Sequence, residues 1–179
     1  WDYHKDRPAC PKARIAAGMP ATRPMDNVAI TLDAPQEEEL ALVKITEHAA
    51  FHFASFPREL PGLYDRYVTE LGKRPDELGK WQSAYKEVLQ KATLLNDGKR
   101  LVLKTPTHTG RVALLCSMFP GAKYVYIMRN PYRVYQSMRN MYRQILPGQT
   151  FQDFTWEAID DWIIHAYKAL LTAYLGQRA

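Results

Sequence analysis

The chain has 179 residues, 46% of them apolar and 24% charged, which is enough for one soluble domain with its own core. A formal net charge of +5 favours anionic partners in general, but no Lys/Arg block or aromatic-basic module points to nucleic acid. No apolar run approaches the roughly 18 residues of a membrane helix, and residues 1–14 are too polar and proline-broken for a secretory signal.

In chain order, residues 1–22 read as irregular, with prolines at 8, 11 and 20. Residues 27–32 alternate enough for a short strand or an extended lead-in. A helix start follows, with Asp33 as cap, Pro35 in the first turn and Gln36 three residues after the cap. Glu37, Glu38 and Glu39 then read as a solvated first turn that suits the helix dipole. Residues 51–61 form an aromatic, proline-containing connection, and 62–71 a short helix. Pro75 opens a longer helix with Trp81, Tyr85, Val88, Leu89 and Ala92 at helical spacing, closed by Asn96, Asp97 and Gly98. His48 and His52 stand four apart but lack a third ligand, so no metal site is expected.

The informative part begins at residue 100. Residues 100–104, RLVLK, read as a short strand. Residues 105–111 turn into a helix with Val112, Leu115, Cys116 and Phe119 on its apolar face, and Pro120 and Gly121 stop it. Residues 123–128 are a second strand. Asn130 caps the next helix, Pro131 takes its first position, and Pro147 and Gly148 break the chain. Thr155 caps a last helix, with Ile159, Trp162, Ile163, Ala166, Leu170 and Tyr174 as its buried stripe.

Two strands joined by a helical crossover imply a parallel pair with right-handed connection. Ligands of such sheets bind beyond the carboxyl ends of the strands. Lys104 closes the first strand and Arg129 the second, so both cations emerge on one edge, beside two helix N-termini that favour an anion.

The stretch LVLKTPTHTGRVALLCSMFPGAKYVYIMRNPYRVYQSM resembles the sulfotransferase family, in particular its large, mainly microbial branch related to the tyrosylprotein and carbohydrate enzymes. The ordered parts are K-S/T-P-x-H-x-x-R, F-P-x-A-K/R, a strand, R-D/N-P, and a Ser eight residues after the Arg. RPMDNVAI, DAPQEEEL and FPREL look like the middle of the same domain, so the likeness runs from about residue 23 onward. It implies an α/β, P-loop-like parallel sheet flanked by helices. It also implies transfer of a sulfuryl group from 3′-phosphoadenosine 5′-phosphosulfate (PAPS) to an acceptor hydroxyl or amine, leaving 3′-phosphoadenosine 5′-phosphate (PAP).

On that resemblance Arg129 and Ser137 match the residues that hold the 3′-phosphate, a task suited to a guanidinium fork. Lys104 matches the Lys that offsets charge on the departing 5′-phosphate. His108 is the first candidate for the base, and Glu37 a substitute for the Glu of the tyrosylprotein branch. Arg111 reads better as one half of a salt bridge or part of a solvated face than as a phosphate ligand. The family's P-R-S-G-T-T-like phosphosulfate loop and its C-terminal R-Y-E-D-like strand are not found. The expected sheet is therefore incomplete and helix-rich, and the 179 residues are expected to be the middle of a longer domain, inactive alone. Residues 1–99 form a mostly helical acceptor-side region, 100–145 the cofactor 3′-phosphate region, and 146–179 a helical end.

The alternative is a non-catalytic sulfotransferase-like scaffold or assembly subunit; a P-loop phosphotransferase shares the sheet but not the R-N-P…S element. Expected partners are a small-molecule, carbohydrate or peptide acceptor, further portions of the domain, or a second copy in a homo-oligomer. Nucleic acid is not expected, nor a membrane segment. Cys10 and Cys116, without CxxC spacing, mildly favour a reducing, cytoplasmic compartment.

Overall fold

A computed structural model describes residues 17–23, 25–32 and 34–177. Two compact units divide the chain, residues 1–36 and 37–179. In the first, Thr22 and Ala29 form an isolated antiparallel bridge. Asn27 turns the chain at φ 56°, and the amide of Arg23 donates to the Val28 carbonyl at 2.8 Å. Residues 27–32 are thus a lead-in held by one bridge. Asp33, expected to cap the first helix, lies outside the described residues.

The second unit is helical. Helix α1 is Glu38–Leu42, starting later than Pro35 and Gln36 suggest, with Glu37 at the cap position. Short 3-10 turns, Ala50–Ala54 and Pro57–Glu59, carry the aromatic connection into α2, Leu60–Tyr64. A π turn, Asp65–Thr69, and a 3-10 turn, Leu71–Lys73, follow. The expected single helix over 62–71 is therefore broken into three pieces.

Helix α3 is Pro75–Leu95, with proline in its first turn and Trp81, Tyr85 and Val88 on its buried face. It ends where Asp97 and Gly98 take positive φ, which lets the Gly98 amide reach the Thr93 carbonyl at 2.9 Å. The 3-10 turn Pro106–Gly110 leads into α4, Val112–Met118, which buries Leu115; Cys116, expected on the apolar face, is exposed. Helix α5 is Pro131–Gln149 and α6 is Trp156–Gln177. Helix α5 runs through Pro147. A proline so near the end removes one intrahelical bond in a last turn that is about to fray, so the break falls two residues later than expected.

Helix α6 is the central support. Ile159, Trp162, Ile163 and Ala166 are buried along it, as the stripe predicts, and Thr155 caps it by accepting from the Ala158 amide at 3.2 Å. Trp162 Nε1 donates to the Tyr142 hydroxyl at 2.9 Å, tying α6 to α5, and its ring meets that of Tyr64 edge-on at 4.9 Å. At its far end, Gln177 accepts from the Ala113 amide at 2.9 Å and donates to the Gly110 carbonyl at 3.1 Å. Gly110 is required there: a Cβ would stand 2.7 Å from Cγ1 of buried Val68 and 3.2 Å from Cδ2 of Leu170. The turn Pro106–Gly110 is thereby pinned beneath α6.

The expected parallel sheet is not formed among the described residues. Segments 100–105 and 122–130 lie outside any helix and pair with no neighbour. In the second, exposure alternates over residues 124–127. Tyr124 and Tyr126 are 44% and 38% exposed, with Tyr126 stacked on Tyr174 of α6 at 4.0 Å, while Val125 and Ile127 are 87% and 69% exposed. This is the period of a strand with one face on a helix layer. A ladder needs a second strand to take its amides and carbonyls, and two isolated strands are marginal in water. The structure is accordingly helix-rich.

Candidate active site

Consecutive residues of a helix point about 100° apart, so three successive glutamates at the start of α1 fan out rather than share one face. Each meets a different part of segment 104–111. Glu37 forms an ion pair with Lys104 through Oε1, and its Oε2 accepts from Thr105 Oγ1 at 3.2 Å. Glu38 pairs with His108 Nε2. Glu39 pairs with Arg111 at 2.5 Å and accepts from Thr107 Oγ1 at 3.2 Å. A solvated first turn, expected for this run, is corrected: Glu38 and Glu39 are buried. The partners of the three acids in segment 104–111 stand 67 to 72 positions away along the chain, beyond any local pattern.

Behind this strip stands a column of rings from α3. Arg111, with its guanidinium 4.7 Å above Trp81, lies on a ring that stacks on Tyr85 at 4.7 Å; Tyr85 in turn meets His108 edge-on. Of the two readings of Arg111, the salt bridge holds and the solvated face is corrected, since the residue is buried. Tyr85, fully buried, donates to Glu38 at 3.3 Å and faces His108 Nε2 at 3.0 Å. Burial, then the neighbouring Glu38, raises its phenol far above the ordinary range, so it stays a proton donor. His108 Nδ1 is buried without a partner.

Burial also pushes the Glu38 carboxyl up, but the hydrogen bond and attraction of His108, with the Tyr85 hydroxyl, outweigh it and hold the group below its ordinary value of 4.5. A carboxyl depressed in the folded state binds protons more readily when unfolded. Its contribution to stability is complete above about pH 4.5 and is lost as pH falls through the folded value. Melting followed by circular dichroism should therefore show a fall in Tm below pH 4.5, and Glu38→Gln should remove part of that fall.

The structure brings Glu37, Lys104 and His108 into one strip. Arg129 and Ser137 are exposed and, among the described residues, share no hydrogen bond or ion pair with it. Arg129 ends the second unpaired segment. Asn130 caps α5 by accepting from the amides of Tyr132 and Arg133 at 3.0 and 3.3 Å. Asn130 is thus the cap the sequence predicts; with two helix donors already serving it, an anion at this corner would rely chiefly on the Arg129 side chain. Residues that sequence reasoning missed are Glu38, Tyr85, Thr105 and Thr107; three acids in a row, and a lysine, three threonines, a histidine and an arginine within the eight residues 104–111, are the signal for them. His48 and His52 are engaged elsewhere, with Tyr67 OH at 3.4 Å and the Thr46 carbonyl at 3.1 Å. Among the described residues no helix is long and apolar enough to cross a membrane.

Residues 4–178 match the model of the sulfotransferase family. The chain is 30% identical over 148 residues to omega-hydroxy-beta-dihydromenaquinone-9 sulfotransferase Stf3 of Mycobacterium bovis (strain ATCC BAA-935 / AF2122/97), and equally to the protein of that name from Mycobacterium tuberculosis (strain CDC 1551 / Oshkosh). Each match covers 83% of this chain and 38% of the relative, so the chain spans well under half the length of these proteins. No solved structure matches it. The chain belongs to the sulfotransferase family.

Proposed function

We propose that the protein containing this chain transfers a sulfuryl group from PAPS to an acceptor hydroxyl, with Glu37 and Lys104 at the point of transfer. The observation that carries this reading is the ion pair itself. A carboxylate and an ammonium 67 residues apart meet at the mouth of the strip, and both reach solvent, Glu37 at 23% and Lys104 at 73% side-chain exposure. A hydroxyl rather than an amine is chosen because the relatives' name specifies an omega-hydroxy compound.

The residues present fit a phosphate-bearing donor. Arg129 is exposed and, among the described residues, forms no ion pair, so its five N–H donors are open to an anion. Ser137 is exposed on α5 and would add a neutral donor. PAPS, when bound, supplies the sulfuryl group and leaves as PAP. Lys104 would exchange Glu37 for the anionic donor and offset charge near the transferring group. Glu37, so released, would accept the proton of the acceptor hydroxyl. Glu37 suits this task better than His108, whose Nε2 is committed to Glu38 and Tyr85 and whose Nδ1 is buried. In the same reading, segments 100–104 and 123–128 become neighbouring strands of a parallel sheet, with Lys104 and Arg129 at one edge.

Titration calorimetry of the full-length protein with PAP tests the cofactor assignment. Arg129→Ala should weaken binding by about tenfold or more, since it removes charge-assisted hydrogen bonds, and Ser137→Ala by less. Unchanged affinity in both variants would sink it.

A further inference from the structure

We propose that Thr105 is a positioning residue for sulfuryl transfer: its buried hydroxyl holds the Glu37 carboxylate in place when Lys104 moves away. This rests on the reading of Glu37 as the base. Thr105 occupies the residue before the 3-10 turn Pro106–Gly110, where a threonine ordinarily turns its hydroxyl onto the amides of its own turn. Here the side chain makes no such cap. Its Oγ1 donates instead to Glu37 Oε2 at 3.2 Å, across 68 positions of sequence. Thr107 does the same one step deeper, donating to Glu39 at 3.2 Å. The two hydroxyls face the two carboxylates from a turn that Gly110 and Gln177 pin beneath α6.

The division of labour follows from exposure. Lys104 is a long, largely exposed side chain that can swing toward an anion, whereas Thr105 is buried and has no such freedom. A glutamate held by Lys104 alone would be released into several rotamers when that partner leaves. With Oε2 anchored by Thr105, only Oε1 is uncovered, and it faces the space Lys104 vacates. The Thr105 hydroxyl touches neither donor nor acceptor in this scheme; it fixes the orientation of the group that accepts the proton.

Steady-state kinetics of the full-length enzyme with PAPS and its hydroxyl acceptor decides the matter, using Thr105→Val, Thr105→Ser and Glu37→Gln. Valine keeps the shape and removes the hydroxyl. Thr105→Val should lower kcat about tenfold with little change in KM for PAPS, the pattern of an interaction lost from the transition state alone. Thr105→Ser should restore most of kcat. Wild-type kcat in Thr105→Val overturns the proposal, as does a Thr105→Ser enzyme as slow as the valine variant, which would show that packing rather than the hydroxyl is at stake. If Glu37→Gln itself keeps wild-type kcat, the assignment of the base fails; an inactive Glu37→Gln beside an unaffected Thr105→Val leaves the base standing and removes only the role of Thr105.

Discussion

Arg111→Met should destabilise the protein by about 3–5 kcal/mol, because it leaves the buried Glu39 carboxylate without its cation. Both partners are essentially inaccessible to water. One oxygen of Glu39 and two nitrogens of Arg111 have no hydrogen-bond partner even with the pair intact. The pair therefore gains less than a fully satisfied one would, while breaking it exposes the whole desolvation cost of a lone charge. Against a total stability of about 5–15 kcal/mol for an ordinary domain, the single change is large enough to empty much of the native state. The double variant Glu39→Met with Arg111→Met should recover most of the loss, since replacing a buried pair with apolar side chains of similar size is often neutral or better. The single and the double variant both lose the 4.7 Å contact between the guanidinium and the Trp81 ring, so that contact cancels between them. Urea unfolding of the two variants beside the parent checks this: a double variant no more stable than Arg111→Met would mean that the pair contributes specific structure which packing cannot replace.

The helices were legible in the sequence because their signals are local. Trp81, Tyr85 and Val88 at helical spacing, Pro75 at the first turn and Gly98 after the last specify α3 without reference to the rest of the chain. Asn130 and Thr155 announce α5 and α6 in the same way. Pro147 misled because its cost depends on where in the helix it falls, and its place in the last turn is known only once the end at Gln149 is seen. The strands were half legible. Alternation at 124–127 survives in the exposure of the side chains, but a ladder is a relation between segments, and none forms among the described residues.

The site divides along the same line. Lys104 and Arg129 end apolar runs, so order and spacing alone put both cations at one edge, whereas His108 and Glu37 are named only through the family resemblance. The pairing of the acids with segment 104–111 could not be read. Glu37, Glu38 and Glu39 look alike in sequence, and a glutamate run at a helix start is ordinarily solvated. What separates them is the roughly 100° step of the helix acting against a turn brought in from 67 to 72 residues away, which sends one carboxylate to the surface and two inward.

That separation makes Glu37→Gln the most informative single change for the proposed chemistry. Glutamine keeps the length of the side chain and can still accept from Thr105, but it cannot take a proton from an acceptor hydroxyl and no longer pairs with Lys104 as an ion. If Glu37 is the base, kcat should fall by about 10²–10⁴, the usual contribution of a positioned general base. KM for PAPS should hold or fall slightly, since Lys104 then has no carboxylate to leave before it meets an anion. His108→Asn should act differently: it unpairs Glu38, a buried carboxylate, so its main effect belongs in Tm, with kcat per folded molecule reduced far less. Measuring kcat, KM and Tm on both variants separates the roles. A large loss of kcat in His108→Asn at unchanged Tm, with Glu37→Gln nearly normal, would reverse the assignment and make His108 the base, with Glu38 and Tyr85 holding its ring.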